Sequence, residues 1–143
     1  MSYAVEVRQV ERQPIAVVRG RAARANLPTR IRALFDEFYA GLQGKGGLNI
    51  VYYPGTGADG EMDIECGVQM SDQMQTPANS AMPAGEAVTV VYFGPYERMR
   101  GAHEAIHQWA RDNGRKLAGP SWEVYGHWSD DPAKLRTDIF YLL

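Results

Sequence analysis

Twice along this chain the order strand, helix, strand, strand recurs, and that repetition narrows the available folds more than any other feature. Val5 and Val7, then Ile15 and Val17, alternate on either side of the polar turn Arg12-Gln13-Pro14, which predicts two short strands between Tyr3 and Gly20. Pro28 is suited to a first helical turn, and Ile31, Leu34, Phe35, Phe38 and Leu42 follow at three- and four-residue spacing before Gly44 stops the helix. Strands are expected at Leu48–Tyr53 and Met62–Met70, separated by the glycine-rich loop Pro54–Gly60. Ser71–Gly85 is polar, carries Pro77 and Pro83 and lacks periodicity, so it reads as a connection. Then the order restarts. Val88–Phe93 ends at Gly94-Pro95, a helix turns Met99, Ala102, Ile106 and Trp109 inward until Gly114, and Trp122–Trp128 and Thr137–Leu143 supply two more strands.

The expected fold is α+β: duplicated β-α-β-β units related by pseudo-twofold symmetry, an antiparallel sheet with two helices on one face, and a ligand groove on the other. It forms a single domain over residues 1–143, with a first unit over about 1–70, a linker over 71–85 and a second unit over 86–143. Apolar residues make up 45% of the 143, enough to close a core without disulfides or a structural metal, so no cofactor is called for. A formal charge of −2 with no Lys/Arg stripe argues against direct nucleic-acid binding. No apolar run is long enough to span a membrane, no basic leader precedes an apolar segment, and a single cysteine excludes an internal disulfide; a cytoplasmic location is expected.

One motif invites a different conclusion. His103-Glu104-Ala105-Ile106-His107 spells the H-E-x-x-H of zinc peptidases, in which two histidines on one helix face hold the metal and the glutamate activates its water. With Ile106 at the centre of the buried stripe, His103 lies about 60° away, His107 about 100° and Glu104 about 160°, at roughly 100° per residue. Glu104 therefore faces solvent, and the possible third ligands Glu123 and His127 belong to a strand of the second unit. No metal site is expected. Cys66 alternates with Ile64 and Val68 and reads as a small buried hydrophobe. The Gly55–Gly60 segment GTGADG lacks phosphate-loop spacing and opens a strand.

Ser121–Trp128, SWEVYGHW, carries the chemistry. Alternation with Trp122, Val124 and Trp128 under the helices puts Glu123, Tyr125 and His127 on the opposite face. Tyr52 and Glu65 from the first unit, Tyr92, and Phe140 from the last strand are expected to join them, forming an aromatic-walled groove with acid at its base. A carboxylate among rings is costly unless a charged or hydrogen-bonding partner meets it, so such a groove invites a lipophilic cation. The same desolvation could ready Glu123 as a general acid or base. On the residues alone, a Glu-Tyr pair on an open sheet face is equally compatible with solvated surface.

Gly94-Pro95-Tyr96 opening a helix, Trp109 late in it, Gly114, Gly119-Pro120, Glu123-Val124-Tyr125, Asp131-Pro132 and the closing strand Thr137–Leu143 form an ordered set over essentially the whole chain. In that set the chain resembles the GyrI-like small-molecule-binding family, the effector-binding domain of bacterial multidrug-responsive transcription regulators. The resemblance implies a duplicated β-α-β-β fold in which a buried glutamate, mapping onto Glu123, and surrounding aromatics bind hydrophobic, often cationic compounds. With the first strand near Tyr3 and no helix-turn-helix ahead of it, it is similar to stand-alone members. Some of these sequester drugs or inhibit gyrase, a possible protein partner, and others hydrolyse cyclopropane-bearing electrophiles; Glu123 would then be the catalytic group. Whether this chain is an enzyme is left open by the resemblance. Tyr141-Leu142-Leu143 stands where relatives often carry proline, which leaves open whether Phe140 or Tyr141 faces the groove.

Overall fold

The structure, a computed structural model, describes residues 3–143. Its strands are β1 (Val5–Val10), β2 (Gln13–Ala22), β3 (Asn49–Tyr53), β4 (Met62–Gln69), β5 (Ser80–Met82), β6 (Gly85–Phe93), β7 (Ser121–Tyr125) and β8 (Arg136–Leu142). The helices are α1 (Leu27–Gly41) and α2 (Arg100–Asp112), each entered through a 3₁₀ turn, Arg24–Asn26 and Tyr96–Arg98. All eight strands form one sheet in the order β1-β6-β8-β7-β3-β4-β2-β5, and every pairing is antiparallel. Read from either end, the order has the same pattern. β7 and β3 meet at the centre, β8 and β4 flank them, and β6 and β2 come next, so β6-α2-β7-β8 repeats β2-α1-β3-β4 about a pseudo-twofold axis. The α+β fold with two duplicated units is the one expected from sequence.

Two features were not legible in the repeat. β1 does not pair with β2 across the Glu11-Arg12 turn; it borders β6 of the other unit, with Val5 opposite Val90. The connection after β4 likewise contains β5, which borders β2 and buries Met82 to 2% exposure. Each repeat thus sends its preceding strand to edge the other. Tight pairing of β2 with β4 depends on Gly67, where a Cβ would lie 1.8 Å from the Ala16 carbonyl oxygen.

The helices share one face of the sheet. Leu34 and Phe38 of α1 pack on Ile64, Cys66 and Val68, and Ala102 and Ile106 of α2 pack on Val88, Val90 and Ile139. The opposite face has a core of its own. There Ile15, Val17, Ile50, Tyr52, Met82 and Trp122 cluster with partly buried Val10 and Phe140. Val10 and Met82 come from strands at the two ends of the sheet order, so the sheet curls until its borders share a core.

This second core reverses one sequence expectation. Trp122 packs under the curl and not under the helices: it stacks on Phe140 at 5.4 Å and 9°, and meets Tyr52 edge-on at 6.3 Å. Glu123 and Tyr125, one residue out of phase, therefore point to the helix-bearing side. The strand also ends at Tyr125, which leaves Trp128 73% exposed beyond it.

Candidate functional site

At the centre of the sheet, where the two repeats meet, Glu123 is paired with Val51 of β3 on one side and Ile139 of β8 on the other. Only 5% of the residue is exposed. Both carboxylate oxygens are engaged. The Tyr125 hydroxyl donates to Oε1 at 2.5 Å, and Nε2 of His103, from the opening turn of α2, lies 2.7 Å from Oε2. The same imidazole reaches the Tyr141 hydroxyl through Nδ1 at 2.7 Å. An ionised carboxylate only accepts, so Nε2 carries a proton; in the neutral imidazole, Nδ1 then accepts the Tyr141 hydroxyl proton. The result is a hydrogen-bonded line Tyr125–Glu123–His103–Tyr141.

Above this line opens a cleft of about 640 Å³ between the start of α1 and the face of α2. Tyr53, Tyr96 and Tyr141 contribute rings to its wall, and Arg24, Leu27 and Met62 lie on the α1 side. Tyr96 also meets Tyr125 edge-on at 5.4 Å. Desolvation, with the Glu123 charge adding to it, pushes the phenols of Tyr53 and Tyr125 well above their ordinary range, and that of Tyr141 up to about 12. All three stay protonated near neutrality. His107 packs edge-on against the Tyr141 ring at 5.0 Å; burial, then the neighbouring His103, lowers its pKa.

The zinc-peptidase letters are used otherwise. His103 bonds Glu123, Glu104 bonds Arg100 at 3.0 Å on the exposed side, and His107 lies against a tyrosine. Among the described residues no group of three or more His, Cys, Asp or Glu could hold a metal ion.

Of the residues expected in the site, Glu123 and Tyr125 come together there, and the others do not. Tyr52 and Phe140 lie in the opposite core against Trp122. Glu65, paired across the ladder with Arg19 and Tyr52, is on that face too: it accepts from the Ser80 hydroxyl and lies 3.5 Å from the Arg19 guanidinium. Tyr92 is on the helix side but sealed at 5% exposure, its hydroxyl donating to the Pro95 carbonyl. The open choice on the last strand falls to Tyr141. Tyr53 and His103 were missed; Tyr53, like Tyr141, follows from alternation once Glu123 is put on the helix side, and His103 lay only about 60° from the buried stripe at roughly 100° per residue.

The chain has relatives of known structure. A family model described as a GyrI-like small-molecule-binding domain matches residues 3–143. The crystal structure of the EcmrR C-terminal domain superposes with a TM-score of 0.68 at 23% identity, over 99% of this chain and 98% of that one. SAV2435, solved bound to tetraphenylphosphonium, gives 0.73 at 13% identity over 99% and 93%. A hydrolase from Listeria innocua gives 0.55 at 12% identity over 96% and 90%. No curated protein matches the sequence.

Proposed function

The chain belongs to the family of GyrI-like small-molecule-binding domains, and on that premise we propose that it binds small hydrophobic cations in the cleft over Glu123. The observation that carries this reading is a carboxylate sealed beneath phenols, with no arginine or lysine ion-paired to it among the described residues. When its partner His103 is neutral, an ionised Glu123 puts one negative charge at the base of an aromatic cleft. A lipophilic cation would gain from that charge in a medium of low dielectric, and about 0.5–2 kcal/mol from each ring face it meets. The volume of about 640 Å³ suits a drug-sized molecule. Similarity to SAV2435, whose structure holds a lipophilic phosphonium, supports the same ligand class.

Calorimetric titration with tetraphenylphosphonium tests the reading. Wild-type protein should bind it, and Glu123→Gln should bind it more weakly while binding neutral triphenylphosphine oxide about as well. Equal phosphonium affinity in the two proteins, at matched stability, would remove Glu123 from the site.

The line of donors and acceptors through Glu123 favours a second reading, hydrolysis of a strained electrophile. Water attacking an electrophilic carbon would lose a proton to the Glu123 carboxylate, while a phenol of the cleft protonates the departing atom. Similarity to the Listeria hydrolase is in keeping with it. Incubation with a cyclopropane-bearing alkylator separates the two: an enzyme yields product in excess of protein, a binder a stoichiometric complex.

A further inference from the structure

His103 is the one cationisable group bonded to Glu123 among the described residues, and about a quarter of its side chain is open to the cleft. We propose that His103 selects the charge of the ligand: a proton on its imidazole and a cationic ligand compete for the single negative charge of Glu123, so cation binding expels that proton. The inference rests on the cleft over Glu123 being the ligand site and specifies what governs it.

Two protonation states fit the same heavy-atom positions. In the neutral state Nε2–H donates to Glu123, Nδ1 accepts from Tyr141, and the base of the cleft carries one negative charge. Adding a proton makes both ring nitrogens donors. Nδ1–H then donates to the Tyr141 oxygen, the Glu123–His103 pair becomes neutral overall, and the Tyr141 hydroxyl proton is free to turn elsewhere. A permanent cation favours the first state. An uncharged ligand with a hydrogen-bond acceptor has no reason to favour it, and gains a donor in the second.

The remaining charged groups around His103 do not reproduce this exchange. On α2 itself, Glu104 is paired with Arg100 on the exposed side. Arg24 and Glu97 also line the cleft, but neither bonds Glu123, and the phenols of Tyr53, Tyr96 and Tyr141 all have raised pKa values, so they stay neutral between about pH 5.5 and 8. His107 is the remaining titratable neighbour. It bonds no carboxylate, and burial holds it towards the neutral form. Histidine is the side chain whose charge ordinarily changes in this interval.

Tetraphenylphosphonium keeps its charge at every pH, so any pH dependence of its binding belongs to the protein. We expect wild-type affinity to rise from about pH 5.5 to about pH 8, by at most about tenfold per unit because a single proton is exchanged. Calorimetry in two buffers of different ionisation heat should register proton release on binding at the lower pH. His103→Asn should bind the phosphonium with little pH dependence and no released proton, whereas His107→Asn, whatever its effect on affinity, should keep the pH dependence and the released proton. Triphenylphosphine oxide should bind wild type no more weakly at the lower pH. Binding of phosphonium with equal affinity at both pH values and no buffer-dependent heat in wild type overturns the inference and leaves the ligand site standing. No binding at either pH overturns both. The wild-type experiment decides even if a variant fails to fold.

Discussion

Nε2 of His103 lies 2.7 Å from Oε2 of Glu123, and that contact ties the opening turn of α2 to the middle of the central strand β7. The helix and the sheet thereby share a charge at the base of the cleft. Each of the following expectations tests a part of that arrangement.

Replacing Glu123 by Gln keeps an acceptor for Tyr125 but removes the charge. A charge-assisted contact contributes about 1.5–3 kcal/mol, so phosphonium affinity should fall by roughly ten- to a hundredfold. Calorimetry reads the affinity, and urea unfolding checks that the fold is retained.

Tyr125→Phe deletes a donor to a buried carboxylate. The uncompensated oxygen should cost about 1–3 kcal/mol of stability at neutral pH. Because the two groups are in direct contact, the loss should be smaller in a Glu123→Gln background; a double-mutant cycle from urea midpoints measures the coupling.

Opposite faces of the sheet should respond differently. Tyr53→Leu should weaken phosphonium binding by about 0.5–2 kcal/mol, the value of one cation–π contact. Phe140→Leu disturbs the stack on Trp122 and costs some stability, but phosphonium affinity should stay essentially unchanged. An equal loss in both would place Phe140 in the site.

Alkaline conditions should destabilise the fold. The Tyr53, Tyr125 and Tyr141 phenols and the Cys66 thiol, pushed up to about 12 by burial, all lie above their ordinary values in the folded chain. Their contribution is fully present below the unfolded values, near pH 8.5 for the thiol and 10 for the phenols, and is lost as pH rises past them. Urea midpoints should fall between about pH 8 and pH 10.5. At pH near 8, Cys66 should react with a disulfide reagent only after unfolding.

Dialysis against zinc should leave far less than one equivalent on the protein. His103 is already engaged by Glu123, and Glu104 by Arg100. Stoichiometric zinc in elemental analysis of the dialysed protein would contradict this.

The duplication, both helices and seven of the eight strands could be read from periodicity, because a helix stripe such as Leu34–Phe38 or Ala102–Ile106 has only one way to be buried. β5 could not: three residues, Ser80–Met82, carry too little pattern to be told from a loop. Glu123 was identifiable as a carboxylate among aromatics, yet its side of the sheet was not. With a core on each face, Trp122 and Glu123 are both buried, and the rule that the larger apolar residue lies beneath the helices gives no answer. A one-residue phase error sends every partner to the wrong side, which is how Tyr52 and Phe140 stood in for Tyr53 and Tyr141. His103 required knowledge of where α2 lies over the sheet, and nothing local to the helix encodes that it reaches Glu123 of β7.

The crossed placement of β1 and β5 has a consequence for what the duplication means. Neither half owns a complete outline: cut at the linker, each fragment would keep a border that belongs to its sibling and lack one that its sibling retains. The repeats are interlaced like clasped hands, separable on paper and inseparable in space.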